Sequence, residues 1–301
     1  MTHIQISNCE NLETLDLQGQ NNLQVLEIYN CPNLKSIYLN KTNRPSESFV
    51  LDFTTLTKLT TLNISSTTYI TELDLTNSPD LNTIYCWESA IRSVKCVYDS
   101  ENPIELPTSA FYNCGQLTNL EGYFEIQGSS VFQDCSSLDF DSLMTKDTMD
   151  DHPKLYLTFA KVNSFERCFS GCSLLGSKDK WPETLIHRLN SEVSSIKEMF
   201  KGTSSNFAIN AGLFSYVEDN EFKDLNVTDI SGVFANTYIH GSFCSEYTDS
   251  TGLKYGLFQY MPELLRAESA FAGTCNIERY IDNNFFNFEK ANKLQCVDYM
   301  F

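Results

Sequence analysis

The sequence lacks the features that would place it in a membrane or in the secretory pathway. No run of 18 apolar residues occurs in its 301 positions, and a membrane-spanning helix needs about that length. The first fifteen residues, MTHIQISNCENLETL, contain neither the basic segment nor the apolar segment of a signal peptide. We therefore expect no membrane insertion, and no signal peptide is visible.

Basic residues are also scarce. The chain has 21 Lys and Arg against 39 Asp and Glu, which gives a formal net charge of −18. Binding to nucleic acid or to anionic lipid depends on clustered Lys and Arg, so we expect neither as a partner. The apolar content of 42% is nevertheless high enough for a folded core.

Recognisable catalytic motifs are missing as well. No G-x-S-x-G, H-E-x-x-H or G-x-G-x-x-G pattern occurs. The four histidines, His3, His152, His187 and His240, lie in no local motif. GCSLLGSK (171–178) comes nearest to a phosphate-binding loop, but its lysine does not follow the second glycine directly as that loop requires. We expect no cofactor and treat catalysis as a minority hypothesis.

Eleven cysteines are candidates for disulfides or metal ligands, and two acidic stretches are candidate calcium sites. An odd number of cysteines spread along a large chain argues against a disulfide framework, although isolated pairs stay open. Cys168 and Cys172 are better explained as buried thiols than as metal ligands. The stretches 139–151 and 218–224 lack the D-x-D-x-D-G order of a calcium loop, which favours solvated loops.

What the sequence does have is an internal repeat. Apolar residues spaced i, i+2 recur about every eleven residues, at Ile4/Ile6, Leu15/Leu17, Leu26/Ile28, Ile37/Leu39, Leu51/Phe53, Leu62/Ile64, Leu73/Leu75, Ile84/Cys86 and Val94/Cys96. Such a pair puts two side chains on one face of a short strand. Eleven residues are too few for a strand and a crossover helix, so 22 residues predict one coil of a flattened solenoid. Strands then alternate between wall A (Leu15, Ile37, Leu62, Ile84) and wall B (Ile4, Leu26, Leu51, Leu73, Val94).

From about residue 100 each repeat unit contains a characteristic phenylalanine followed by a predicted turn. The copies are FYNCGQL (111–117), FQDCSSL (132–138), FSGCSLL (169–175), FKGTSSN (200–206), FANTYI (234–239) and FAGTCNI (271–277). One Phe at a fixed place in each unit predicts a stacked aromatic column in the core. Gly171, Gly202 and Gly273 fit turns that need a positive φ.

These residues carry a resemblance to known repeats. NCPNLKSIYL and the stretch from Leu73 to Cys96 look like short leucine-rich repeats of bacterial surface proteins. The Phe repeats resemble BspA-type leucine-rich repeats with their AFxxCxxL signature, and DLNVTDISGVF (224–234) resembles a related surface-protein repeat. The resemblance implies a non-enzymatic solenoid used for adhesion, and similar repeats occur in phage proteins. No anchor or capping motif is visible, so we also expect a piece of a longer array.

The sequence thus predicts a β-rich α/β solenoid, leucine-rich-repeat-like, with short parallel strands joined by short helical or 3₁₀ turns. Residues 1–99 would hold short leucine-rich repeats with 11-residue half-coils and 22-residue coils. Residues 100–301 would hold BspA-like Phe-x-Gly-Cys/Thr repeats that continue the first array.

The register also predicts two outward columns, because one residue between the members of each apolar pair points to solvent. On wall A the outward residues are Asp16, Tyr38, Asn63 and Tyr85, with Trp87 further along the same strand. On wall B they are Gln5, Glu27, Asp52, Asp74 and Lys95. As tentative partner-binding residues we select Tyr38, Asn63, Tyr85, Trp87, Glu27, Asp52 and Asp74, since large aromatics anchor partners and stacked carboxylates attract cations. Cross-strand aromatics that merely support the sheet are the competing interpretation.

The expected function is that of a non-catalytic recognition, adhesion or structural module on a cell surface or outside the cell. Its partner would be a protein or glycan on a host or bacterial surface, or neighbouring subunits of a larger assembly. A structural or host-attachment component of a bacteriophage virion is the first alternative. A carbohydrate-active enzyme is the second, and it would need paired carboxylates in a cleft.

Overall fold

The protein is a solenoid of short parallel strands. The computed structural model describes residues 2–144, 153–160, 162–174, 189, 191–205, 214, 217–218, 221–239, 247–248, 254–255, 258, 261–274 and 292–301. The first twelve strands, in chain order, are β1 (His3–Ser7), β2 (Thr14–Asp16), β3 (Val25–Tyr29), β4 (Ser36–Tyr38), β5 (Ser48–Leu51), β6 (Thr61–Asn63), β7 (Glu72–Leu75), β8 (Thr83–Tyr85), β9 (Ser93–Cys96), β10 (Ile104–Leu106), β11 (Asn119–Ile126) and β12 (Leu155–Phe159). Six two-residue strands follow: β13 (Ser204–Ser205), β14 (Val217–Glu218), β15 (Glu221–Phe222), β16 (Tyr238–Ile239), β17 (Tyr247–Thr248) and β18 (Lys254–Tyr255).

Alternate strands build two walls, as the repeat predicts. Wall A contains β2, β4, β6, β8 and β10 as successive parallel neighbours, and Leu15, Ile37, Leu62 and Ile84 face one another along it. Wall B contains β1, β3 and β5, then β7 and β9, with Ile4 opposite Leu26 and Leu73 opposite Val94. The prediction of a solenoid with short parallel strands is confirmed.

Wall B departs from the predicted register at β5. Leu26 lies opposite Phe49 and Ile28 opposite Leu51, so the inward pair is Phe49/Leu51 rather than Leu51/Phe53. Phe53 instead begins a 3₁₀ helix, Phe53–Thr55, whose first turn is capped by the Asp52 side chain. The step from Ile37/Leu39 to Leu51/Phe53 is longer than eleven residues. The additional residues lie in the loop before β5 and in the turn after it.

Strand β11 joins the two walls. Its first part, Asn119–Glu121, pairs with β9, and its last part, from Phe124 to Ile126, pairs with β10. Gly122 lies at the bend with φ +143°. A Cβ atom there would stand 3.1 Å from the Phe124 ring and 3.2 Å from the Cys96 side chain. Only glycine combines this backbone angle with so little space.

The core of the solenoid is a continuous column of buried side chains. From Leu17 to Phe271, the backbone N–H of each column residue donates to a backbone carbonyl oxygen of the next coil. This ladder of hydrogen bonds runs without interruption across residue 100. The buried members are Leu17, Leu39, Ile64, Cys86, Phe111, Phe132, Phe169, Phe200, Phe234 and Phe271. Phe301, which is exposed, stacks on Phe271 at the end of the column. Successive Phe rings stack with centroids 5.6–5.8 Å apart, a favourable spacing for aromatic pairs.

Two residues after each column member the backbone is left-handed. The positive-φ residues at this place are Gly19, Lys41, Ser66, Glu88, Asn113, Asp134, Gly171, Gly202, Asn236 and Gly273. The positive φ predicted for Gly171, Gly202 and Gly273 is confirmed, at +74°, +67° and +68°. The position tolerates other residues, several of them Asn or Asp, which adopt this conformation more readily than most.

One residue further on, small hydrogen-bond donors form a second buried column. Its buried members are Thr42, Thr67, Ser89, Cys114, Cys135, Cys172, Thr203 and Thr237, and the half-buried Thr274 follows them. The thiols of Cys135 and Cys172 donate to the carbonyl oxygens of Phe111 and Phe132 in the preceding coil, both at 3.0 Å. Thr237 donates to the Phe200 carbonyl oxygen in the same way, at 2.8 Å. Cys and Thr therefore interchange in the repeat because each supplies a compact donor.

The predicted helical or 3₁₀ turns between strands are confirmed only in part. Besides Phe53–Thr55, the described residues contain one helix, the five-residue α1 (Phe140–Met144). Turns of a few residues are too short to nucleate a helix, and a left-handed residue ends any helical turn that begins. None of the described helices is long and apolar enough to cross a membrane.

The donor column predicts a difference between two nearly isosteric substitutions at Cys135, which is fully buried. Cys135→Thr keeps a donor for the Phe111 carbonyl oxygen, whereas Cys135→Val removes it. We expect the Val variant to be less stable than the Thr variant by about 1 kcal/mol, the net value of one hydrogen bond. Urea denaturation of both variants measures the difference. Equal midpoints, or a more stable Val variant, would contradict the role of the donor.

Candidate recognition surface

The outward face of wall A carries the predicted aromatic column. Asp16 lies opposite Tyr38, Tyr38 opposite Asn63, and Asn63 opposite Tyr85. Tyr38, Asn63 and Tyr85 are each half-buried. Since the two tyrosines are two strands apart, their backbones are separated by about 9–10 Å. Asn63 between them accepts a hydrogen bond from the Ser65 amide through Oδ1, at 3.0 Å.

Trp87 lies just beyond the strand on which it was predicted, because β8 ends at Tyr85. Its carbonyl oxygen accepts the Ser66 amide at 2.7 Å. Its ring centroid is 5.7 Å from Nζ of Lys41, a residue of the coil before that of Ser66. Lys41 and Trp87 therefore make a cation–π contact across the intervening coil.

At the equivalent position of the two preceding coils, two polar side-chain atoms have no hydrogen-bond partner among the described residues. Asn40 Oδ1 and Ser65 Oγ are buried and unpaired within the described part of the chain. Asn40 is 7% exposed and Ser65 is not exposed at all. Burying an unpaired polar atom is costly, so this pair is a feature to be explained. Sequence reasoning missed it, because Asn and Ser between apolar residues predict an exposed turn.

The structure does not bring the acidic residues of wall B into one column. Glu27 lies between Gln5 and Val50, and it accepts hydrogen bonds from Gln5 Nε2 at 2.9 Å and Ser48 Oγ at 2.6 Å. The bonds from Ser48 and then Gln5 lower the pKa of Glu27. This carboxylate is already paired within the wall.

The other two carboxylates predicted on wall B have separate surroundings. Asp52 follows β5 and caps the Thr54 amide, so the prediction that it stacks on Glu27 is wrong. Asp74 lies opposite Lys95, and hydrogen bonds from the Thr76 side chain and then its amide lower the pKa of Asp74. Three local arrangements replace the expected acidic stack.

An acidic groove at the edge of wall A was not predicted. It encloses about 590 Å³ and is lined by Pro79, Asp80, Leu81, Asn82, Asp99, Glu101, Asn102, Pro103, Glu105 and Glu125. Glu105 lies directly opposite Glu125 in neighbouring strands. Burial, and secondly the Glu105 charge, raise the pKa of Glu125, while Gln127 Nε2 donates to Glu125 Oε2 at 2.7 Å. The period-2 alternation of NLEGYFEI would have indicated these outward residues.

Three tyrosines cluster on the same outward face. Tyr123 precedes Glu125 by two residues in β11 and lies opposite Tyr156. Their rings stack with centroids 4.5 Å apart, and Tyr98 meets Tyr123 edge-on at 5.3 Å. Each is half-buried. Wall A therefore presents aromatic side chains at two places, with carboxylates between them.

The buried cysteines that the structure describes are protonated thiols. All nine cysteines within the described ranges are free thiols. Burial raises the pKa of Cys114 to about 11 and those of Cys135 and Cys172 well above the usual value, so these thiols stay protonated and act as donors. Among the described residues, no group of three or more His, Cys, Asp or Glu could hold a metal ion.

Several sequence-level candidates lie outside the described residues. They are His152, His187, His240, Lys178 and parts of both acidic stretches, 145–151 and 219–220. No family model matches the chain, and no curated protein is significantly similar to it. The geometry of the outward surface is therefore the basis on which a function can be inferred.

The Glu105–Glu125 pair predicts a pH-dependent gain of stability on Glu125→Gln. Because the pKa of Glu125 is raised in the fold, its ionisation destabilises the folded state once the pH exceeds that pKa. Below the ordinary glutamate pKa of about 4.3 the carboxyl is protonated in both states and the penalty disappears. We expect Glu125→Gln to raise the free energy of unfolding at pH 7.5 by roughly 0.2–1 kcal/mol, the range for cross-strand pairs.

The measurement is urea denaturation of both proteins between about pH 3 and pH 7.5. Glu72→Gln is the matched control, because Glu72 is an exposed carboxylate that faces Ser93. A Glu125→Gln variant that is less stable at neutral pH, or a gain that persists unchanged in acid, would contradict the prediction.

Proposed function

We propose that this chain is a non-catalytic recognition module that binds a macromolecular partner through the outward face of wall A. The observation that carries the proposal is the register of Tyr38, Asn63 and Tyr85, which places two aromatic side chains in one column of a rigid parallel sheet. Tyr and Trp provide a large contact area at a low cost in conformational entropy. Such residues dominate the binding energy of interfaces.

The architecture supports recognition in a further way. Among the described residues, successive coils are hydrogen-bonded to one another through their backbones, so the outward side chains are held in a fixed pattern before a partner arrives. Preorganisation of this kind lowers the entropic cost of binding. The second aromatic cluster, Tyr98, Tyr123 and Tyr156, extends the same face beyond the acidic groove.

The partner we propose is a protein or a glycan displayed on a host or bacterial surface. The net charge of −18 disfavours nucleic acid and anionic lipid. The likeness to bacterial leucine-rich-repeat surface proteins, including BspA-type repeats, favours a location outside the cell or on its surface. A role in a bacteriophage virion, for host attachment or in contact with neighbouring subunits, is consistent with the same face.

One observation favours a second candidate, a glycoside hydrolase. Glu105 and Glu125 face each other in a groove, and the pKa of Glu125 is raised. Two carboxyl groups that face each other in a groove are what such enzymes use as acid and nucleophile. Release of reducing ends from an oligosaccharide by the native protein, abolished in Glu105→Gln and Glu125→Gln, would establish this function.

The recognition function predicts that Tyr38→Ala combined with Tyr85→Ala abolishes most of the binding. The ligand is first selected on arrays of glycans and of extracellular matrix proteins, and its affinity is then measured by biolayer interferometry. We expect a loss of about 2 kcal/mol, roughly thirtyfold in dissociation constant, as for interface residues that dominate binding.

The control is Tyr29→Ala, because Tyr29 is 40% exposed at the end of β3 in wall B. It should bind as the native protein does. If Tyr29→Ala weakens binding as much as the double variant, or if the double variant binds normally, the face of wall A is not the binding surface.

A further inference from the structure

The acidic groove at the edge of wall A contains one carboxylate pair that the residues around it do not neutralise. Half of the residues that line the groove are Asp or Glu, and none of those that the structure describes there is Lys or Arg. Asp99 is held by its own turn, since the amides of Glu101 and Asn102 and Nδ2 of Asn102 donate to its carboxylate. Glu105 and Glu125 instead face each other in neighbouring strands.

The Glu105–Glu125 pair is unfavourable as it stands. Neighbouring strands lie about 4.8 Å apart, and both side chains are half-buried, which weakens their screening by water. Burial, and secondly the charge of Glu105, raise the pKa of Glu125, even though Gln127 Nε2 donates to Glu125 Oε2 at 2.7 Å. A cation between the two carboxylates would replace one repulsion with two attractions.

The neighbouring tyrosines favour a flat cation. Tyr123 precedes Glu125 by two residues on the same outward face, so about 7 Å of strand separates them. The Tyr123 ring stacks on that of Tyr156 and meets Tyr98 edge-on, which fixes its orientation, and all three are half-buried. A guanidinium group stacks on aromatic rings and donates in a planar fork to carboxylates, whereas an ammonium group is a compact, strongly hydrated charge.

We propose that Glu105, Glu125 and Tyr123 form a docking site for an arginine side chain of a partner protein. The two carboxylates accept the guanidinium N–H groups, and the tyrosine supplies an aromatic surface beside them. Asp80 and Glu101, exposed in the same groove, attract the basic segment that carries the arginine. The proposal rests on the recognition function, and it selects a protein as the partner at this part of the face.

Binding of three matched peptides tests the charge and the shape of the ligand. The native protein is immobilised for biolayer interferometry, and the probes are amidated peptides of alternating Gly and Arg, Gly and Lys, or Gly and citrulline, the uncharged isostere of arginine. We expect saturable binding of the Arg peptide, several-fold weaker binding of the Lys peptide, and at least about tenfold weaker binding of the citrulline peptide. The absence of saturable Arg-peptide binding up to about 1 mM, or equal binding of any two peptides, overturns the proposal.

Charge-matched variants separate the site from the general attraction between an acidic protein and a basic peptide. Glu105→Gln combined with Glu125→Gln should weaken Arg-peptide binding by about tenfold or more, without lowering the thermal midpoint. Glu10→Gln combined with Glu72→Gln removes the same charge at two exposed positions, and this control should bind as the native protein does. Equal weakening in the two double variants would show long-range attraction alone and would refute the site.

The role of the ring is tested at Tyr123. Tyr123→Phe keeps an aromatic face and should retain the preference for the Arg peptide over the Lys peptide, whereas Tyr123→Leu should lose it. A preference that persists unchanged in Tyr123→Leu contradicts the proposed contact.

The outcome for this site is distinguishable from that for the recognition function. If no Arg peptide binds but an array ligand still depends on Tyr38 and Tyr85, the recognition function survives and the arginine site does not.

Discussion

The backbone hydrogen bonds between successive coils are the constraint on which the rest of this structure depends. They hold neighbouring coils at the spacing of a parallel sheet, and they force equivalent residues of every coil into straight columns. A residue in such a column contacts the equivalent residues of the coils above and below it. Each column therefore acquires its own chemistry, and a change of residue type must be accepted by the two adjoining coils.

This constraint explains how two repeat styles share one frame. The inner column changes from Leu and Ile to Phe near residue 100 without a break in the ladder, and the donor column changes between Thr, Ser and Cys. Both substitutions preserve what the position requires, which is apolar volume in one column and a compact donor in the other. Additional residues are accommodated in the connections between strands, as in the 3₁₀ turn that follows β5.

The same frame makes the outward face of wall A suitable for recognition. Tyr38 and Tyr85 derive their common orientation from the register of β4, β6 and β8. Trp87 is different, because its contact with Lys41 is made by side chains across an intervening coil and does not follow from strand register.

Much of the fold could be read from the sequence, since the eleven-residue spacing of apolar pairs determines the two walls, their inward residues and the outward column from Asp16 to Tyr85. Periodicity reports the local backbone, which repeats. Only the tertiary structure decided that Asp52 caps a turn instead of joining Glu27, that β11 crosses from wall B to wall A, and that Glu105 meets Glu125 in a groove. It also decided that Asn40 Oδ1 and Ser65 Oγ are buried without a hydrogen-bond partner among the described residues. These outcomes depend on contacts between side chains of different coils, where length, charge and available space choose the partner, and no spacing in the sequence encodes that choice.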